Sequence, residues 1–234
     1  MKTPRPNPSP GFTLIELLVV ISIIAILAGI ALPVFGEVQV RGAQTKALSN
    51  AKQIGTACKL FALDYNGNFP HYTNIDNKTA ASTSDTSNSV LSILIPDYLP
   101  DKSIFAIPKS AYCKNAGSGK GDQKKLNAGE NEWAYVLGLS DTSSSRFPLL
   151  GSGFVPGSTK YTDIETKPGG VWKGKKAVVV RVDISGTVEN LFRKTKTVKR
   201  NEENPEKNAF EPGPQDNPPW FDTTVKTLNP VPGV

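Results

Sequence analysis

One carboxylate, Glu16, lies near the start of a long apolar run. Within residues 12–35 the other polar side chains are only Thr13 and Ser22. Insertion scales put the cost of a charged side chain at the centre of a membrane helix at roughly 2.5 to 3.5 kcal/mol. A plain membrane anchor has no use for such a charge, so its presence indicates a specific role.

The apolar run is long enough to cross a bilayer. At ~1.5 Å per residue a helix over residues 12–35 reaches roughly 36 Å, against a hydrocarbon core of ~30 Å. Residues 1–11 precede it as a short leader that carries Lys2 and Arg5 and no acid. A signal anchor is one alternative. An ordinary secretory signal peptide, cut at the small residues of Gly29-Ile30-Ala31, is another.

In these residues the chain resembles the type IV pilin and type II secretion pseudopilin superfamily. The resemblance rests on the basic leader, on Gly11 before Phe12, on Thr13-Leu14-Ile15-Glu16-Leu17-Leu18-Val19-Val20-Ile21, and on Pro33. It implies that a prepilin peptidase of the inner membrane cuts between Gly11 and Phe12, removes residues 1–11, and methylates the new N-terminus.

The resemblance also gives Glu16 a partner. The carboxylate lies in the first turns of the helix, where the macrodipole favours negative charge. In a filament it is expected to neutralise the Phe12 amine of a neighbouring subunit, which converts two buried charges into one pair. Pro33 crowds the carbonyl of Gly29, so a kink or local melting is expected there. Alternatively, Pro33 marks the end of a membrane helix.

Residues for catalysis or metal binding are sparse. The only His, His71, follows the predicted end of the long helix and is interpreted as a solvated side chain. Major pseudopilins are known for a calcium site in a C-terminal loop, and calcium needs several oxygen ligands. The candidates here are scattered, so no cofactor is expected and calcium stays an alternative: Asp163, Glu165, Asp183, Glu189, Asp216 and Asp222.

Two further features have a structural and a functional interpretation. Cys58 and Cys113 could form a disulfide in an oxidising compartment or be small buried thiols. The basic cluster of residues 193–200 could contact DNA phosphates or anionic glycans. Acids follow the cluster, and loss of Lys2 and Arg5 with the leader would reduce the net charge from +6 to +4 (25 Lys plus Arg against 21 Asp plus Glu). We therefore interpret the cluster as a solvated run, and nucleic acid is not an expected partner.

The elements that position these residues begin with one long helix, residues 12 to about 65, bent near Pro33. Residues 36–66 form its amphipathic half, with one apolar face at steps of three or four residues: Val40, Ala43, Ala47, Ala51, Ile54, Cys58, Phe61 and Tyr65. Asn66-Gly67 supplies positive φ and Pro70 prevents continuation of the helix.

The rest of the chain predicts an α+β head over residues 67–193. Loops are predicted at 73–89 and 114–131, and a short helix at 89–97. Strands are predicted at 132–139, 147–150, 177–183 and 187–192, in a small antiparallel sheet with the Val-rich strand in its interior. Residues 194–234 are rich in Pro and predict an extended tail, draped on the head or partly disordered. Trp220 and Phe221 would dock the tail or contact a partner.

Together these features predict a structural subunit of a type II secretion pseudopilus or type IV pilus-like filament, without enzymatic activity. Its expected partners are prepilin peptidase, copies of itself or other pilin-like subunits, and an inner-membrane assembly platform. Its expected location is the inner membrane with the head in the periplasm, and later a filament. A membrane-tethered binding protein that uses the same export signal is the alternative.

Overall fold

The computed structural model describes residues 11–71, 86–116, 124–216 and 219–233. The predicted leader lies outside the described residues except for Gly11, and so does the predicted loop 73–89 up to residue 85. The chain divides into two compact units, of which the first ends at Ala43 and the second begins at Gln44.

Helix α1 (Leu14–Asp64) confirms the long helix predicted from the sequence. Its part in the first unit leaves the apolar side chains exposed, including Leu14, Ile23 and Phe35. The helix is assigned without interruption through Gly29 and Pro33. The bend at Pro33 and the melting of this turn in a filament stay predictions.

In the second unit α1 packs on a sheet through a face of small and apolar side chains. Ala47, Ala51, Ile54, Cys58 and Phe61 are at most 3% exposed, at the spacing that places them on one side of a helix. The predicted face was too long at its N-terminal end, because Val40 and Ala43 are exposed. The buried face begins instead at Gln44.

The end of α1 follows the predicted chemistry. Asn66 and Gly67 have φ of 53° and 80°, and the Gly67 N–H donates to the carbonyl of Ala62 at 2.7 Å. This is the bond that closes a helix end when the residue after the last turn is left-handed. The helix therefore ends where the sequence predicts it.

The described residues of the head form a five-stranded antiparallel sheet. Its strands are β1 (Trp133–Leu137), β2 (Pro148–Ser152), β3 (Lys176–Arg181), β4 (Gly186–Asn190) and β5 (Lys226–Leu228), in the order β4-β3-β2-β1-β5. Val180 lies opposite Leu150, and Tyr135 opposite both Leu150 and Leu228. The α+β class, the four predicted strands and the interior position of the Val-rich β3 are thereby confirmed.

One face of the sheet contacts α1. A Cβ added to Gly55 on α1 would lie 3.2 Å from Val180 on β3 and 3.2 Å from Ile184 in the β3–β4 turn. A helix approaches a sheet this closely only where its residue is small. Tyr135 and Cys58 also lie on this side, both fully buried.

The other face of the sheet is covered by the C-terminal part of the chain. Phe210 packs on Gly151 of β2, and its ring meets that of Phe154 at 4.9 Å. Trp220 and Phe221 are buried and pack edge-on against Phe147 at 5.0 and 5.5 Å. Docking by these two residues is therefore observed, and the Pro-rich segment forms a second layer of the head.

The described residues contain elements that sequence reasoning missed or misplaced, among them a short 3-10 helix over Lys102–Phe105. Strand β5 lies in the segment predicted as a tail, and it completes the sheet beside β1. The predicted helix 89–97 begins earlier, as α2 (Ser87–Leu91) capped by Thr86, and continues only as a 3-10 turn over Ser92–Leu94. Pairing with β1, rather than local propensity, makes the three residues of β5 a strand.

Candidate functional site

The start of α1 is built as a capping box between Thr13 and Glu16. The Glu16 N–H donates to the Thr13 hydroxyl oxygen at 3.3 Å, and the Thr13 N–H donates to Glu16 Oε2 at 2.9 Å. The Thr13 hydroxyl also donates to the same Oε2, at 2.7 Å. These bonds satisfy backbone donors that a helix start otherwise leaves without partners.

The capping box uses only part of the hydrogen-bond acceptor capacity of the Glu16 carboxylate. An ionised carboxylate offers about four acceptor sites, and the side chain is exposed in this structure. The Thr13 bonds fix its direction at the first turn of α1, close to Phe12. Its geometry is therefore compatible with a further bond to a cationic group brought by another molecule.

Beyond Glu16, α1 carries a charge-free stretch until Glu37. Residues 17–36 span roughly 30 Å at ~1.5 Å per residue, close to the thickness of a hydrocarbon core. The large apolar side chains whose exposure the structure describes in this stretch are exposed, for example Leu17 at 54% and Phe35 at 65%. Exposed apolar surface on this scale marks a membrane or protein interaction surface.

Polar groups in this stretch are satisfied within the helix. The Ser22 hydroxyl donates to the carbonyl of Val19 at 2.7 Å, which leaves no hydroxyl donor to be buried without a partner in lipid. Among the described residues α1 is the one helix whose length and composition would let it cross a membrane. Charges resume with the exposed pair Glu37 and Arg41.

The residues predicted for processing are accessible. Gly11 and Phe12 precede the first turn of α1 outside regular structure, and Phe12 is 72% exposed. A Cβ added to Gly11 would meet nothing within 4 Å, so the fold does not itself require glycine at this position. A requirement for glycine at this position would come from an enzyme that recognises it.

The two cysteines are free thiols in the structure. Cys58 is fully buried on α1 and Cys113 is partly buried beside Glu132. Burial raises the pKa of both thiols, that of Cys113 to about 12. Pairing of the two cysteines in an oxidising compartment stays a prediction.

The acids considered as calcium ligands form ion pairs or hydrogen bonds with other side chains or with the backbone. Asp163 pairs with Lys196 at 2.6 Å, Glu165 with Lys173 at 3.1 Å, and Glu189 with Arg181 at 2.5 Å. Asp183 and Asp222 accept bonds from Ser185 and Thr224, and Asp216 pairs with two cations. In the described part of the chain no group of three or more potential ligands converges for a metal.

The basic cluster 193–200 is largely engaged within the head. Lys196 pairs with Asp163, Lys199 with Glu202 at 2.9 Å, and Arg200 with Asp216. Cations held by neighbouring acids contribute little to phosphate binding, which depends on unneutralised charge. His71 is half-buried after the helix end, and burial lowers its pKa.

The structure gives roles to three residues that were not singled out from the sequence: Thr13, Glu132 and Arg200. The capping role of Thr13 was readable, because Thr-x-x-Glu before an apolar run is a helix-start signature. The burial of Glu132 and of the Arg200 side chain was not, since both lie in segments rich in polar residues. Their environments depend on chain segments that are distant in sequence.

Comparisons with known proteins match the N-terminal segment. A family model described as the prokaryotic N-terminal methylation motif matches residues 7–32. The chain is 50% identical over 62 residues to the type IV major pilin protein PilA of Myxococcus xanthus (strain DK1622). This match covers 26% of the chain and 28% of the length of that relative. No solved structure matches the chain.

Proposed function

We propose that this chain, whose N-terminal segment is that of the type IV pilin-like superfamily, is a structural subunit of a pilus-like or pseudopilus filament. The observation that carries the proposal is the start of α1. The methylation motif matches residues 7–32. Within it lie the Thr13–Glu16 capping box and the beginning of the exposed, charge-free stretch 17–36. Pilin proteins are structural subunits rather than enzymes, in agreement with the expected lack of catalysis.

We propose that the subunit is first inserted and processed in the membrane and then assembled into a filament. Residues 17–36 first hold the subunit in the inner membrane with the head in the periplasm, and prepilin peptidase cuts between Gly11 and Phe12. The apolar surface of α1 then transfers from lipid to neighbouring subunits on an assembly platform. Burial of apolar area stabilises both states, at about 25 cal/mol per Å² removed from water. Transfer between them therefore costs little.

In this proposal, Glu16 selects the register in which neighbouring helices pack. A carboxylate buried without a partner is costly, and a neighbour's Phe12 amine would neutralise it. Because Thr13 already directs the carboxylate, less side-chain freedom is lost when the pair forms. The pair would favour one axial register of the helices over others that leave the charge unmatched.

Mass spectrometry of the mature protein tests the processing. We expect an N-terminus at methylated Phe12. An N-terminus at Leu32 would show cleavage by an ordinary signal peptidase and would refute the proposal. Retention of residues 1–11 in cells that contain an active prepilin peptidase would refute it equally.

A Glu16→Ala variant tests the filament role against a membrane-tethered binding protein. We expect the variant to insert in the membrane normally and to be missing from filaments, measured by fractionation and by shearing of cells. Wild-type function of the variant without any filament incorporation would favour the tethered protein. Recovery of wild-type subunits in sheared surface fibres would favour a pilus, and retention in the envelope a pseudopilus.

A further inference from the structure

The head encloses a carboxyl group that has no charged partner among the residues that the structure describes. Glu132 lies directly before β1 and is fully buried. Its Oε2 accepts a bond from the Ser110 hydroxyl, and its Oε1 has no hydrogen-bond partner among the described residues. Within the same residues no ion pair to Glu132 is formed. An ionised carboxylate in such a place would forgo several hydrogen bonds that water supplies.

The groups that face this carboxyl do not supply charge. Tyr112 and Cys113 come from the segment before it, and Tyr161 from the loop after β2. The Tyr112 hydroxyl donates to the carbonyl of Phe154, and the Tyr161 hydroxyl donates to that of Ser152 at 3.0 Å. Both hydroxyl protons are therefore committed elsewhere, and all three groups are neutral at physiological pH.

Glu130, the acid nearest to Glu132 in the sequence, differs from it in having a charged partner. Glu130 lies two positions earlier and pairs with the Lys102 ammonium at 2.8 Å, with further bonds from Asn127. Burial alone would raise the pKa of Glu130, but these donors outweigh it and the pKa is lowered. For Glu132, burial dominates over the Ser110 and Gly153 donors and raises the pKa to about 8.

We propose that Glu132 is a proton-dependent lock of the head: the folded packing favours its neutral form, and loosening of the segments around it favours ionisation. Those segments are the turn that ends at Phe105, whose carbonyl accepts the Glu132 N–H at 2.9 Å, the Ser110 turn, and the chain after β2 at Gly153. The lock joins three chain segments at one enclosed carboxyl group. It is independent of the filament role proposed above.

The sign of the pH effect follows from linkage. In the unfolded chain the carboxyl titrates near its ordinary value of 4.5, and in the folded head it titrates near 8. Between these values only the folded state holds the proton, so stability falls as pH rises. The folding equilibrium constant should drop up to about tenfold per pH unit in this window, and this contribution should level off on either side.

Denaturant unfolding of the full-length protein in detergent micelles tests the lock. Trp133, Trp172 and Trp220 all lie in the head, so their fluorescence reports its unfolding. We expect Glu132→Gln to remove the loss of stability between pH 5 and about 8, and the matched variant Glu130→Gln to retain it. An unchanged pH profile in Glu132→Gln would overturn the proposal.

Infrared spectroscopy keeps the proposal testable if Glu132→Gln fails to fold. Wild-type protein with carbon-13 glutamate should show a protonated carboxyl band at neutral pH that disappears on unfolding. Ser110→Ala should shift its titration to higher pH, because the Ser110 bond lowers the pKa of Glu132. Absence of the band in folded wild-type protein at neutral pH would refute the lock.

Discussion

The backbone N–H and the hydroxyl of Thr13 both donate to one carboxylate oxygen of Glu16, at 2.9 and 2.7 Å. The residue that we propose to pair between subunits is thus already a structural part of its own helix. Capping explains how a carboxylate can be held in a fixed direction on an otherwise apolar segment. Its local and its proposed intermolecular roles use different lone pairs of the same group.

Replacement of Thr13 should separate these two roles. We expect Thr13→Val to insert in the membrane normally but to assemble several-fold less, because it keeps the β-branched shape and loses both hydroxyl bonds to Glu16. Thr13→Ser retains the hydroxyl and should assemble nearly as wild type. Quantifying subunits in sheared filaments and in membranes measures both steps. Equal assembly of the Val and Ser variants would show that the capping box does not matter for assembly.

A methyl group at Gly151 should destabilise the head. An added Cβ would lie 2.6 Å from Cζ of the Phe210 ring, and overpacking of this kind costs about 1–3 kcal/mol. We expect Gly151→Ala to lower the free energy of unfolding by that amount in denaturant titrations. Adding Phe210→Leu should recover part of the loss in a double-mutant cycle. Strict additivity of the two changes would place the cost somewhere other than this contact.

The Arg200 side chain holds the C-terminal layer together. It is 5% exposed, pairs with Asp216, donates to the carbonyls of Asn208, Glu211 and Pro212, and lies 5.3 Å from the Trp220 ring centroid. We expect Arg200→Met to cost about 1–3 kcal/mol, because the carbonyl of the buried Asn208 loses its donor, while Asp216 keeps its pair with Lys207. Limited proteolysis should then cut the C-terminal segment faster.

The matched control for this change is Lys199→Gln. Lys199 pairs with Glu202, whose side chain is 88% exposed, and pairs of that kind contribute at most about 1 kcal/mol. We expect nearly wild-type stability and proteolysis for it. Equal losses in the two variants would mean that charge, rather than the buried contacts of Arg200, controls this region.

The Glu130 and Lys102 pair predicts a loss of stability in acid. The folded pKa of Glu130 lies below its ordinary value of 4.5, so its contribution is present above pH 4.5 and is lost as pH falls through the folded pKa. We expect Glu130→Gln to be less stable at neutral pH by about 3 kcal/mol and to lack this acid-dependent part. Unfolding titrations at pH 3 to 7 measure both effects. A variant that retains the full acid dependence would contradict the assignment.

Much of the local structure could be read from the sequence. The helix end at Asn66-Gly67 follows from positive φ, and four strands follow from Val-rich or aromatic runs between turns. Strand β5 could not be read, because Lys226–Leu228 is short and lies between Pro-rich stretches. It becomes a strand only where β1 offers its hydrogen-bonding edge.

The sequence by itself determined the N-terminal features on which the proposed function depends. These are the processing motif, a charge-free length of helix matched to a membrane, and the position of Glu16. Such features are periodic or contiguous, so short-range physical chemistry reveals them. Only the tertiary structure decided that Trp220 and Phe221 close a second layer, that Arg200 pairs with Asp216, and that Glu132 is enclosed without a counter-ion among the described residues. These properties depend on which distant segments meet, and burial is what changes the energy of a charge.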